Sequence, residues 1–110
     1  MNPQNPHIDR IFKAIADPTR RKIFHALVLA GAALPITQIS EHYQISRQGV
    51  TKHIKTLEDA GLIRIEQIGR ERFCEAEPAP LKLIHDWVGF YNKFWDDALN
   101  RLGDHLDQKA

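Results

Sequence analysis

Between Ser46 and Thr56 the chain collects side chains suited to reading nucleic acid. On a helical wheel Gln48, Thr51, Lys52, Lys55 and Thr56 spread over one side, with Arg47 at the exposed first turn and Ser46 just before it. Val50, Ile54 and Leu57 fall on the opposite side and face a core. Cations and an amide bond guanine and adenine edges in a major groove, and threonine meets a thymine methyl or a phosphate. No carboxylate interrupts this face until Glu58 and Asp59. An ordinary amphipathic surface helix would carry a similar pattern, so the face alone leaves both readings open. Gly49 is a poor helix former, and its missing side chain would let backbone approach a phosphate.

A second group lies downstream. Arg70 and Arg72 flank Glu71 at a tight turn, where they could follow a phosphate backbone or enter a minor groove. A solubilising turn would also use such charges, and Glu71 works against an anionic partner. Arg20 and Arg21 open an earlier helix. Arg20 suits either a phosphate contact or a structural ion pair.

The elements that position these groups follow from spacing. Ile8, Ile11, Phe12 and Ile15 predict a first helix. Asp17 and Pro18 are N-cap and first-position residues for a second helix that runs to about Ala30 and stops at Gly31. A link through Leu34 and Pro35 leads to a two-turn third helix, Ile36 to Tyr43. Gln44 and Ile45 form a tight connection, and Ser46 caps a fourth helix ending at Ala60 and Gly61. Strands are predicted over Leu62 to Ile68 and Glu71 to Ala76, with Gly69 and Arg70 as the hairpin tip. One long helix, Leu81 to Leu106, closes the chain. The predicted class is mainly α with a small β-hairpin wing: a winged helix-turn-helix in the order α-α-α-α-β-β-α.

Three ordered segments are similar to ArsR-type winged-helix regulators: Ala16-Asp17-Pro18-Thr19-Arg20-Arg21-Lys22-Ile23, the stretch Ile45 to Ile63, and Gly69-Arg70 with the strand after it. The resemblance covers about residues 8 to 106. It implies a homodimeric, DNA-binding transcriptional regulator, most often a repressor released by an effector. By motif position it points to Arg47, Gln48, Thr51 and Lys52 for the groove and to Arg70 and Arg72 for the wing. His53 matches a histidine of the family and reads here as structural. The family's metal ligands are missing. The third helix has no cysteine, and His85 and His105 stand twenty residues apart, roughly 30 Å along one helix. The remaining option is an intersubunit site of His105 with Asp104 or His7. No metal or cofactor is expected.

The last helix is apolar around a broad face. Ile84, Trp87, Val88, Tyr91, Trp95, Ala98, Leu102 and Leu106 repeat along it at spacings of three and four, with Leu83, Phe90 and Phe94 widening the stripe. Trp87, Tyr91, Phe94, Trp95 and Leu102, together with Ile8, Ile11 and Phe12 of the first helix, are expected to form a two-fold interface. A helix packed across a monomer core, or aromatics around a small effector pocket, are the alternatives.

Composition sets the frame. The chain has 110 residues, 43% hydrophobic and 26% charged, which suits one globular domain over residues 1–110 with a flexible start at 1–6. Net charge is +1, but residues 1–73 hold eleven Lys and Arg against seven Asp and Glu, and residues 74–110 hold four against seven. That split fits a polyanion-binding body, and it also fits a chance variation of a few charges. The single cysteine, Cys74, excludes a disulfide framework. No stretch reads as a signal peptide or a membrane span, and a cytoplasmic protein is expected. No catalytic triad, phosphate-cradling loop or paired carboxylates suggest an enzyme. The runner-up function is a winged helix that docks another protein.

Overall fold

Asp17 decides the first corner of the fold. Its carboxylate accepts from the Arg20 amide at 3.0 Å, Pro18 takes the first helical position, and α2 (Pro18–Ala30) turns away from α1 (Pro6–Ile15). The computed structural model describes the backbone of residues 6–109 and the side chains of residues 6–103. Pro6 belongs to α1 and not to the flexible start expected over 1–6; residues 1–5 lie outside the described residues.

The other boundaries follow the same local rules. Gly31, at φ +63°, closes α2 through bonds to the Leu27 and Val28 carbonyls. α3 (Ile36–Tyr43) ends on Gln44 in the left-handed region, at φ +53°, and the Ser40 hydroxyl donates to the Ile45 carbonyl at 2.6 Å. α4 (Arg47–Asp59) starts on Ser46, whose Oγ accepts from the Gly49 amide at 3.0 Å.

The sheet differs from expectation. β2 (Ile63–Ile68) and β3 (Glu71–Ala76) pair as predicted, but Leu34–Pro35 forms a further strand, β1, on the other side of β3. Its rungs are Leu34↔Cys74 and Pro35↔Phe73. A two-residue strand is too short to show a period, so the sequence offered only a link there.

Val50, Ile54 and Leu57 of α4 lie in one core with Ile11, Ile23, Leu27, Ile39, Leu62, Ile63 and Cys74. This packing fixes the orientation of α4, because its buried stripe leaves one rotation about its axis. Each fully buried aliphatic side chain contributes roughly 1.5–3 kcal/mol.

The predicted single C-terminal helix is two. A 3₁₀ turn, Ala79–Leu81, leads into α5 (Lys82–Phe90). Tyr91 interrupts the helix, and α6 (Asn92–Lys109) follows. The Tyr91 amide bonds back three residues to the Val88 carbonyl at 2.9 Å, a tightened turn that ends α5, and Gly89 weakens the helix just before it. α5 rests on α1 through an edge-to-face contact of Phe12 with Trp87, centroids 5.3 Å apart. α6 stands away from the body. The molecule measures 65 × 33 × 22 Å, and its radius of gyration is 18.7 Å against about 13 Å for a compact chain of this length. Among the described residues no helix is long and apolar enough to cross a membrane.

Candidate nucleic-acid interface

α4 presents the face that its sequence promised. Arg47, Gln48, Lys52 and Lys55 are exposed, and Thr51 and Thr56 are half-buried at the edge. The Thr51 hydroxyl donates to the Arg47 carbonyl at 2.7 Å, and Thr56 donates to the Lys52 carbonyl at 3.2 Å. Their protons are thereby used, leaving methyls and acceptor lone pairs for a ligand. Ser46 spends its oxygen on the cap and serves first to hold the helix start.

Gly49 has a different reason from the one its sequence suggested. A Cβ at this position would lie 2.9 Å from Ile45 Cγ2 and 3.2 Å from Ser46 Oγ. The glycine makes room for the N-cap turn.

Two predicted contacts are redirected. Arg20 donates from Nε to the Ala14 carbonyl and from a terminal nitrogen to the Lys13 carbonyl, both at 2.8 Å. It caps the end of α1, which is neither the phosphate contact nor the ion pair expected, and its half-buried fork is held there. Arg21 similarly reaches the Ile15 carbonyl at 2.7 Å. The unsatisfied carbonyls at a helix end attract such donors. Lys55 is paired with Asp59 at 3.2 Å and Glu58 at 3.4 Å, and these bonds, Asp59 foremost, hold its pKa above the usual lysine value. Any anion would compete with both carboxylates.

The wing completes the site. Gly69 takes φ +64° at the first position of a two-residue turn, where a type II′ hairpin places its glycine. Alternation along β3 sends Arg72 to the same face as buried Cys74, toward the helices, and Glu71 to the opposite face. Glu71 nevertheless lines the same cleft as Arg70 and Arg72, so its carboxylate still weighs against an anionic partner there. Ile36, Thr37, Arg47, Thr51 and the tip residues 70–72 line one open cleft of about 290 Å³. Three elements meet there: the start of α3, the first turns of α4, and the wing tip. Thr37 lines the cleft without having been singled out in the sequence, where nothing distinguishes it from any polar residue in the first turn of α3.

Among the described residues, charge pairing engages few cations, and Arg64 and Lys55 are two of them. Arg64, at the base of the wing, is held by Glu77 at 2.6 Å and Glu75 at 3.2 Å. Among the described residues, no ion pair within 4.0 Å engages Arg47, Lys52, Arg70 or Arg72. Their charges remain available to a ligand.

His53 is half-buried beside the core. Its charge, after the Arg20 amide and the Arg20 side chain, helps keep the Asp17 carboxyl below its usual value. Burial pushes the Cys74 thiol up to about 11, which makes it a poor nucleophile. Among the described residues no three His, Cys, Asp or Glu side chains gather as metal ligands, and the side chains of Asp104 and His105 lie outside that set. Of the expected interface residues, Ile8 and Ile11 are corrected. They are 4% and 0% exposed within the protomer, because α1 turns them onto the core. Phe12 and Trp87 are half-buried against each other, while Tyr91, Phe94, Trp95 and Leu102 are open. Leu99, one turn beyond Trp95, is also exposed and belongs to the same face.

Comparison with known proteins agrees with this geometry. A helix-turn-helix domain family matches residues 15–66. The HTH-type transcriptional regulator YuzN of Bacillus subtilis is 38% identical over 90 residues, covering 76% of this chain and 98% of that protein. The transcriptional repressor SdpR of Bacillus subtilis is 32% identical over 87 residues, covering 78% and 94%. The crystal structure of the ArsR family transcriptional regulator RHA00566 superposes with a TM-score of 0.77 at 29% identity, covering 87% of this chain and 97% of that one.

Proposed function

The chain belongs to the ArsR-type winged helix-turn-helix transcriptional regulators, DNA-binding proteins and not enzymes, and on that premise we propose a homodimeric repressor reading a palindromic operator. α4 enters the major groove. Arg47, Gln48, Thr51 and Lys52 meet base edges and the adjoining backbone, and Arg70 and Arg72 hold the backbone beside the wing. The observation that carries this reading is the meeting of Arg47, Thr51, Arg70 and Arg72 around one cleft, beside a helix that the core anchors through Val50, Ile54 and Leu57.

The dimer is supported by the apolar face that runs from Phe12 and Trp87 to Leu102. Phe94, Trp95 and Leu102 are 50%, 57% and 53% exposed, and a helix so apolar calls for a partner surface. A second copy provides it by two-fold symmetry and sets two α4 helices on half-sites about 34 Å apart. Repression is carried over from SdpR. A regulator of this kind works in the compartment that holds DNA, the cytoplasm of a bacterial cell.

Selection of binding sites from random DNA tests the reading. An enriched palindrome is expected. On it, Gln48→Ala or Lys52→Ala should each cost about 1–3 kcal/mol, with little effect on random sequence. Failure to enrich any site would favour a winged helix that docks protein instead.

A further inference from the structure

α2 and α3 do not close on each other along their whole length. Between them lies a cavity of about 240 Å³, floored by the buried apolar side chains Ile23, Leu27 and Ile39. Leu34 of β1 and Tyr43 at the end of α3 also line it. The Tyr43 hydroxyl donates to the Lys22 carbonyl at 3.0 Å, which ties the end of α3 to α2. The His42 ring stands edge-to-face on Tyr43, with centroids 4.7 Å apart. These contacts hold α2 and α3 at a fixed separation. Gln38 and His42, both exposed, bring polar groups to the rim.

The lining selects a ligand by its chemistry. Small-molecule sites are mostly apolar, with a few polar groups that fix orientation. An apolar cavity of about 150 Å³ takes benzene. A space of about 240 Å³ therefore suits one aromatic ring with a small substituent. Tyr43 gives such a ring an aromatic wall, and a hydroxyl or amide on it can bond Gln38 or His42 at the rim. Among the described residues, no Lys, Arg, Asp or Glu lines this cavity, whereas three arginines line the DNA cleft. An uncharged ligand fits the first and a phosphate the second.

The stretch from Leu34 to Tyr43 serves both spaces. Ile36 and Thr37 line the DNA cleft, while Leu34, Gln38, Ile39, His42 and Tyr43 line the cavity. At about 3.6 residues per turn the four cavity residues of α3 gather on one side, and Thr37 falls across the helix from them. Leu34 also pairs with Cys74, two residues from Arg72 in the cleft. A ring wedged between α2 and α3 pushes this shared stretch toward the cleft and leaves less room there for a DNA backbone.

We propose that the α2–α3 cavity is an effector site for an uncharged, single-ring aromatic molecule bearing one hydroxyl or amide group, and that filling it weakens operator binding. The proposal rests on the DNA-binding reading above and names a ligand class and a site that regulate it. Effector and operator then oppose each other by equal factors, since the coupling between two sites is reciprocal.

p-Cresol is the probe, with toluene as the ring that lacks a polar group. Added to the wild-type protein without DNA, p-cresol should shift the amide resonances of Ala26, Leu34 and Gln38, with a dissociation constant of about 1 mM or lower. At saturation, binding to the selected operator, followed by fluorescence anisotropy, should weaken about threefold or more. Operator DNA should weaken p-cresol binding by the same factor. Ala26→Leu fills the cavity from α2 with a good helix former and should abolish both effects. Gln38→Ala combined with His42→Ala leaves the apolar floor intact, and serves if Ala26→Leu melts early. It should weaken p-cresol several-fold and leave toluene unchanged. The proposal is overturned if p-cresol shifts none of these resonances, if it binds while operator affinity stays the same or rises, or if Ala26→Leu responds as wild type does. The two readings fail differently. A chain that binds p-cresol here but selects no DNA loses the DNA-binding reading and the effector role with it, whereas one that selects an operator and ignores p-cresol loses the site alone.

Discussion

The part of the molecule from α1 to β3 and the part from Tyr91 onward are built on opposite terms. In the first, apolar stripes are consumed inside the protomer: Ile11, Ile23, Leu27, Ile54, Leu57 and Leu62 are all at most 2% exposed. Helix ends there are closed by Asp17, Arg20, Gly31 and Ser46. In the second, every side chain described from Tyr91 to Gly103 is exposed, including Phe94, Trp95, Leu99 and Leu102. The first region buries its apolar stripes within the protomer, with Leu81, Leu83 and Ile84 packed against the same core. The second has apolar surface whose burial is deferred to an assembly, and the aromatic contacts of Phe12, Trp87, Tyr91, Phe90 and Phe94 connect the two.

Substitutions should separate these terms. Leu57→Ala, in the fully buried stripe behind α4, is expected to lower unfolding free energy by about 2–5 kcal/mol in urea denaturation, and DNA binding should fall with it. A loss under about 1 kcal/mol would mean that α4 is not anchored as described. Trp95→Ala should do the reverse. The fold of the protomer should hold, while the dimer dissociation constant measured by sedimentation rises about tenfold or more, by about 1.4 kcal/mol at least. A wild-type chain that is monomeric at micromolar concentration would remove that half of the comparison.

Arg20→Ala should cost about 1–2 kcal/mol of stability through the lost cap on α1, and leave the salt slope of DNA binding unchanged. A reduced slope would return Arg20 to the phosphate-binding set. The smallest effect expected is at Asp17. The Arg20 amide holds its folded-state pKa below the ordinary carboxylate value. It therefore adds stability that is fully present above that ordinary value and is lost as pH falls through the lowered one. Asp17→Asn should flatten the acid limb of thermal stability and leave neutral pH nearly unaffected, because asparagine also caps.

The site residues were legible to different degrees. Those of α4 were readable because a helix turns a linear order into two faces, and the apolar face could only be Val50, Ile54 and Leu57. Arg70 and Arg72 could be located at a hairpin tip, but which face each would occupy depended on a register fixed by Cys74 in the core. Arg20 was ambiguous because a guanidinium suits a phosphate and a helix-end carbonyl equally well, and only the fold brought Ala14 within its reach. Ile11 was misjudged since one helical stripe can satisfy either a core or a partner, and periodicity does not say which. The sequence alone determined α1 to α4 and the hairpin, the caps Asp17, Gly31 and Ser46, and the polar face of α4, all consequences of short-range spacing and local hydrogen bonding. Only the tertiary structure decided which cations stay unpaired, where the wing closes over α4, how β1 joins the sheet and which apolar stripe is left over. Those outcomes depend on contacts between residues distant in the chain, to which no local pattern is sensitive.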